Sequence, residues 1–377
     1  MELTSQLRRI EDMCAEASTD LRARALAIDT APGDVDRHLG STAFALNRVF
    51  CTPEQFRADG LKLPFDIGRT CLERIVSITA LSRGDAAGVL ACPGPALAGL
   101  VVDLLGSDEQ QERFYRRISD GRTWTFFAMT EPGAGSDAAN LTTRLSLGED
   151  GDHLVLIGEK RYIGNGDRGG IGVVFARTSD SVLGIRAVVL ELPSEGVTTR
   201  SMPMLGLRGA DLSEMTFDQV QVCRSNMLGE HLRTPQRGLW GALRTFHQVR
   251  TQIGAMAVGT AMALHDTIMA EFPRTPALAE VGLAIEAAKW TVFDAASALD
   301  SDPLRSHVSS IAKLSGTRLV TDVAAWAVRA AGPGGWADHP LLEKWARDAR
   351  GFEFMDGTAN MQRLAVARGY LQETVHG

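Results

Sequence analysis

Leu3, Leu7, Ile10 and Met13 recur at helical spacing, and Cys71 to Leu81 forms a second apolar face. The chain from Glu2 to about Gly121 therefore reads as helical. Between Thr123 and about Leu228 the period shortens. Apolar, β-branched runs such as Leu154-Val-Leu-Ile, Ile171-Gly-Val-Val-Phe-Ala, Ile185-Arg-Ala-Val-Val-Leu-Glu-Leu and Met215-Thr-Phe are bounded by Gly, Asp and Ser. Helical spacing returns over Gly238 to Glu271, Ala277 to Leu299 and Ser306 to Ala331, and again from Asn360 to Leu371, with Gly332-Pro-Gly-Gly as an interruption.

Helices, then strands, then helices, with few βαβ alternations, argue for an α+β multi-domain chain rather than a doubly wound sheet. The expected units are residues 1–122 (helical N-terminal domain), 123–230 (β domain) and 231–377 (C-terminal helical domain). No internal repeat and no low-complexity tract is present.

A length of 377 residues with 45% hydrophobic content supports two or three packed units without staples. Lys plus Arg number 39 against 46 acidic residues, a formal charge of -7, and no run of like charge suggests nucleic acid as a partner. Five cysteines, Cys14, Cys51, Cys71, Cys92 and Cys223, lack CxxC or metal-ligand spacing and read as buried thiols of a reducing compartment. The N-terminus has no apolar leader, and the apolar stretch Ala86 to Leu105 is broken by Pro93, Gly94, Pro95 and Gly99. The expectation is a cytoplasmic protein without a membrane span.

One segment carries chemistry. Phe127-Ala-Met-Thr-Glu-Pro-Gly-Ala-Gly-Ser-Asp137 follows an expected strand, and its proline and glycines make a loop able to present backbone N–H groups beside a hydroxyl and a carboxylate. A plain turn between strands would look much the same. Three further strings follow in order: Gly158-Glu-Lys-Arg-Tyr-Ile-Gly-Asn-Gly166, Gly206-Leu-Arg-Gly-Ala-Asp-Leu-Ser-Glu-Met-Thr-Phe217, and Arg347-Asp-Ala-Arg-Gly-Phe-Glu-Phe-Met-Asp-Gly-Thr-Ala-Asn-Met-Gln-Arg363 with Ala367-Arg368 beyond.

Together these strings resemble the signatures of the acyl-CoA dehydrogenases from about Asp108 to Leu371. The tight Y-G-G segment usual before that is not recognisable, and Leu61-Lys-Leu-Pro stands in part of its place. The resemblance implies a helical N-terminal domain, a middle β-barrel domain, a C-terminal four-helix bundle, an FAD cofactor and a homo-oligomer, dimer or tetramer. It implies that Phe127, Met129, Thr130, Gly135 and Ser136 line the flavin, that Tyr162, Ile163 and Gly164 cover its other side, and that Thr358 and Asn360 reach it from the C-terminal domain. Asp356 falls on the position of the catalytic Glu, and the resemblance implies that Arg250 helps bind the CoA side of the substrate while Phe246 and Met355 border the acyl thioester.

Several positions depart from the pattern. Tyr162 replaces a Trp, and Gly164 replaces a Ser or Thr whose hydroxyl lies near flavin N5. Asp356 is one carbon–carbon bond, about 1.5 Å, shorter than Glu. Val249 occupies the alternative base position before Arg250, so no second carboxylate is offered. The R-x-x-F-G string that reaches a neighbour's FAD is absent after Asp266. Arg329-Ala-Ala-Gly332-Pro-Gly-Gly-Trp336 stands for Q-x-x-G-G-x-G-Y, with Arg329 able to supply positive charge near a pyrophosphate.

The implied activity is α,β-dehydrogenation of an acyl thioester on CoA or an acyl-carrier protein, in a specialised branch such as secondary metabolism. Two alternatives remain open: a flavin oxidase or oxygenase, since nitroalkane oxidases of this superfamily carry an Asp at the base position, and a non-catalytic partner subunit. A helix cap is the bland role for Asp356, and a solvated helix Arg the bland role for Arg250. His247 and Glu353 lie nearby and are read as structural.

Overall fold

A computed structural model describes residues 3–57, 65, 67, 69–133, 135, 137–149 and 151–376 of the chain. Residues 61–64 and Ser136 lie outside the described residues.

Among the described residues five α-helices come first: α1 (Ser5–Thr30), α2 (Thr42–Cys51), α3 (Cys71–Leu90), α4 (Ala96–Leu105) and α5 (Asp108–Arg117). Their starts are written locally. Thr4, Ser41, Thr70 and Ser107 each accept a backbone N–H as N-caps, and Thr70–Glu73 and Ser107–Gln110 close capping boxes. On α1, Leu7 and Ile10 are buried, while Met13 and, just before the helix, Leu3 pack from the rim of the same core.

Seven strands follow among the described residues: β1 (Trp124–Ala128), β2 (Arg144–Leu147), β3 (His153–Gly164), β4 (Gly169–Arg177), β5 (Ile185–Glu191), β6 (Val197–Ser201) and β7 (Leu212–Cys223). They pair in the order β1-β4-β2-β3-β7-β6, with β5 also on β4, as a mixed sheet in which β1 and β4 run parallel. Alternate residues of β4 enter different cores: Ile171, Val173 and Phe175 pack towards α4 and α5, whereas Val174 and Ala176 pack towards β3 and β7. Burial on both faces is why these strands read as nearly continuous apolar runs.

The last part is helical: α6 (Gly238–Glu271), α7 (Pro276–Ser301), α8 (Ser306–Asp338), α9 (Pro340–Gly351) and α10 (Ala359–His376). The expected break at Gly332 is a kink within α8, where Gly332 takes φ 64° and ψ 177° ahead of Pro333. Helix α9 was not expected from periodicity because it is short and charged. Leu342, Trp345 and Ala349 nevertheless form a buried stripe along it.

One hydrophobic core joins α1, α2 and α3 to α6, α7, α8 and α9, so the first and last thirds of the chain are packed as one helical body. Helix α6 is its central element. It is the one described helix long and apolar enough to cross a membrane by composition, and most of its apolar window is buried in the protein. The sheet docks on this body through two glycines that permit backbone-to-backbone approach. A Cβ at Gly206 would lie 2.4 Å from the Arg347 carbonyl carbon, and one at Gly209 would lie 2.3 Å from the Ala87 oxygen. All five cysteines are free. Burial pushes Cys14, Cys71 and Cys92 up to about 12. Contrary to expectation Cys223 is exposed, because it ends β7 on the side opposite buried Val222.

Candidate functional site

Strand β1 ends at Ala128, and the Thr130 loop that follows is pinned by a buried ion pair. The Glu131 carboxylate accepts from the Lys160 ammonium at 2.9 Å, from the Thr142 N–H and Oγ1 at 2.6 and 2.7 Å, and from the Thr143 N–H and Oγ1 at 2.9 and 2.6 Å. Lys160 also donates to the Met129 carbonyl at 3.0 Å. Burial pushes the Glu131 carboxyl up, but Lys160 and the Thr143 hydroxyl outweigh it and hold the group down at about 2. Burial brings Lys160 down to about 8, against the pull of Glu131. The pair is therefore ionic at neutral pH.

With the loop fixed, the Thr130 carbonyl accepts from the Arg161 N–H at 2.8 Å. The Thr130 hydroxyl is half-buried and has no partner among the described residues. Next along β3, Tyr162 adopts φ 62° and is 53% exposed, with the Arg161 guanidinium over one face of its ring at 5.2 Å. Ile163 is buried in the core under β7, and its carbonyl accepts from the Ser213 hydroxyl at 3.0 Å. Gly164 is not imposed by crowding, since a Cβ there would meet the Ala210 oxygen at an ordinary 3.6 Å. A free hydroxyl on a strand-end loop paired to the strand that carries an exposed aromatic residue suits a flat, polar-edged ring system such as a flavin. Gly135 lies in the same loop, where a Cβ would come 3.8 Å from Thr130 Cγ2.

Helix α6 joins this loop to the C-terminal segment. Phe246 meets Phe127 edge-on at 6.0 Å between ring centroids. One helical turn later, Arg250 comes within electrostatic reach of Asp356. The Arg250 guanidinium is largely buried, with its Nε lacking a partner among the described residues. Burial lowers its proton affinity and Asp356 restores part of it.

Asp356 sits in a tight turn before α10 with φ 46°, followed by Gly357 at φ 90°. It is not the helix cap. Glu353 takes that place by accepting the Ala359 N–H at 2.8 Å, so the bland role falls to the neighbour. The Asp356 carboxylate takes no hydrogen bond among the described residues and faces two cations, Lys313 of α8 and Arg250 of α6. Burial raises its proton affinity above the ordinary carboxylate range, and the two cations oppose that rise.

Lys313 was not anticipated. It is 1% exposed and donates to the Met355 and Gly357 carbonyls, with the Glu353 carbonyl at 3.4 Å. Its signal in the sequence is the polar line Ser310, Lys313 and Thr317 within an apolar helix. The Glu131–Lys160 pair was equally unanticipated.

Of the other anticipated residues, Met355 and Thr358 flank this centre, whereas Asn360 and Arg329 point to solvent. Met355 is half-buried, and Thr358 is half-buried with its carbonyl accepting from the Gln362 N–H at 3.1 Å. Asn360 is exposed and accepts from Arg363 at 2.9 Å. Arg329 is exposed near the Gly332 kink, about 24 Å beyond Lys313 along α8 at 1.5 Å per residue. His247 sits 3.2 Å from the Pro303 carbonyl. The connection expected to have lost R-x-x-F-G is the short link between α6 and α7, from Phe272 to Thr275.

Comparison with known proteins gives two family matches: the acyl-CoA dehydrogenase middle domain over residues 126–220, and the acyl-CoA dehydrogenase C-terminal domain over residues 236–371. The caffeyl-CoA reductase-Etf complex subunit CarC of Acetobacterium woodii is 29% identical over 334 residues, 82% of this chain and 85% of that protein. The mitochondrial short-chain specific acyl-CoA dehydrogenase of Mus musculus is 30% identical over 279 residues, 70% of this chain and 66% of that protein. Among solved structures, butyryl-CoA dehydrogenase from Megasphaera elsdenii superposes with a TM-score of 0.84 at 24% identity, covering 98% of this chain and 99% of its own.

Proposed function

The chain belongs to the acyl-CoA dehydrogenase family and is an FAD-dependent oxidoreductase, and from that premise we propose that it desaturates an acyl thioester carried on CoA or an acyl-carrier protein. The observation that carries this reading is Asp356. Its carboxylate is uncapped, belongs to a half-buried residue, and feels two cations, of which Arg250 stands one turn of α6 from the Phe127–Phe246 contact.

When bound, FAD supplies the acceptor for the hydride leaving the β-carbon. The Thr130 hydroxyl is free to donate to the ring's polar edge, and Tyr162 would form the wall on the other side, backed from the β core by Ile163, with Phe127, Met129, Gly135 and Gly164 beside them. Thr358 and Asn360 approach from the start of α10. The Asp356 carboxylate removes the proton α to the thioester carbonyl, leaving the carbon–hydrogen electron pair to form the new double bond as the β-hydride departs. Phe246 and Met355 exclude water around the reacting carbons, which keeps the carboxylate poorly solvated and basic.

Adding a saturated acyl-CoA such as butyryl-CoA, or a saturated acyl-carrier protein, to the oxygen-free holoenzyme should bleach the flavin. The D356N variant should retain FAD and stay oxidised. A series of saturated thioesters that leaves the wild-type flavin oxidised overturns the reading. A flavin oxidase is the second reading, favoured by the short Asp356 and by the side-chain space left open at Gly164. It predicts oxygen consumption and peroxide release without a thioester. We further propose a cytoplasmic homo-oligomer, dimer or tetramer, in which Arg329 and Gly332 reach the FAD of a neighbouring subunit. The exposed ring of Phe354 (74%) and the outward Leu364, Tyr370 and Leu371 of α10 support such an assembly.

A further inference from the structure

We infer that Lys313 is a positioning residue for the base: its ammonium clamps the carbonyls on either side of Asp356 and sets one of two positive charges against that carboxylate. The inference rests on the reading of Asp356 as the base.

A lysine ammonium has three N–H donors and no acceptor. Buried, it must find three acceptors or lose its proton. Lys313 meets that demand with backbone oxygens alone, those of Met355, Gly357 and, at 3.4 Å, Glu353. No carboxylate forms a salt bridge with it within 4 Å among the described residues, although Asp356 and Glu353 both act on it electrostatically. Its charge is thus directed at the loop and is not neutralised by a contact partner. Burial, the first influence on it, lowers its proton affinity to about 8, so the cation persists at neutral pH.

The loop needs such an anchor. Asp356 occupies the left-handed backbone region, which a residue with a Cβ holds only where its surroundings fix it. Two groups from one face of α8 supply the restraint. Lys313 holds the carbonyls of residues 355 and 357. Ser310, one turn earlier, donates at 2.8 Å to Gln362, whose amide in turn donates to the Asp356 and Gly357 carbonyls at 3.0 Å each. The charged groups facing the Asp356 carboxylate are Lys313 from α8 and Arg250 from α6. Glu353, on its own loop, is engaged by the Ala359 N–H. Two cations against one free carboxylate favour its ionised form, which is the form a base requires.

The test uses the FAD holoenzyme without substrate, following flavin absorbance from about pH 4 to about pH 9. Ionisation of Asp356 beside the ring should appear in the wild type and be absent from D356N. K313M should raise the midpoint by about one to three pH units, the effect of removing one nearby opposite charge. K313R should return it towards the wild-type value, and K313Q, which keeps a donor for the carbonyls without the charge, should move it as K313M does even where K313M fails to fold. An unmoved midpoint in K313Q or K313M holoenzyme of normal FAD content overturns the role of Lys313 and leaves the base assignment standing. A titration that persists unchanged in D356N overturns the base assignment, and this inference with it.

Discussion

The backbone N–H of Leu207 donates to the Asp348 carboxylate at 2.5 Å across 141 residues of sequence, fastening the β unit to helix α9. Asp348 is itself held by Lys344 at 2.6 Å, and Lys344 also contacts Asp85 of α3, all three side chains being fully buried. Replacing Lys344 by Met would leave two carboxylates buried without a counter-charge. The expected loss is about 3–5 kcal/mol, read from the midpoint of denaturant unfolding. The triple variant K344M/D85N/D348N should recover much of it, and a K344M midpoint equal to wild type would show that the cluster contributes nothing.

Asp356 sets a pH dependence whose sign follows from its raised proton affinity. The base acts only when ionised, so kcat/KM should fall as pH drops through a value above the ordinary Asp range of about 4. Removing Arg250 takes away one of the two opposing cations, so R250M should move this acid limb to higher pH. D356N should lower kcat by about a hundredfold to ten-thousandfold. An acid limb at or below the ordinary range would contradict the desolvation of this carboxylate.

Glu131 sets a second pH dependence, this time in stability. Its folded value of about 2 lies below the value of about 4.3 for an unfolded Glu. The stabilisation is therefore complete above about pH 4.3 and is lost as pH falls towards about 2. E131Q should flatten this part of the stability profile and loosen FAD, because the Thr130 loop loses its anchor. Retention of FAD by E131Q as tight as in wild type would separate the ion pair from the cofactor site.

Two glycines of the motifs should answer substitution differently. Gly206→Ala would press a methyl group into the Arg347 backbone at 2.4 Å and should cost about 1–3 kcal/mol. Gly164→Ser meets nothing closer than 3.6 Å, should fold as wild type, and should shift the flavin's reduction potential by restoring a hydroxyl near it. Thermal unfolding and a spectroscopic redox titration read the two effects. A potential unchanged in G164S would place that hydroxyl out of reach of the ring.

The sequence by itself determined the helix–strand–helix order, because apolar period and N-cap residues are local: Thr70 with Glu73, or Ser107 with Gln110, mark their helix starts within four residues. It also marked the strings around Phe127, Thr130 and Tyr162, and the turn carrying Asp356, by their resemblance to family signatures. Tertiary structure alone decided what those strings do. The glycines at 206 and 209 prove to be docking points against α9 and α3, since only the packed backbone shows what a Cβ would strike. Glu353 takes the cap, which leaves the Asp356 carboxylate uncapped. Lys313 reaches carbonyls 42 and 44 residues away, and Glu131 meets Lys160 from 29 residues away. Buried charges are placed by whatever distant acceptors the fold brings to them, and periodicity along a chain carries no record of that partner.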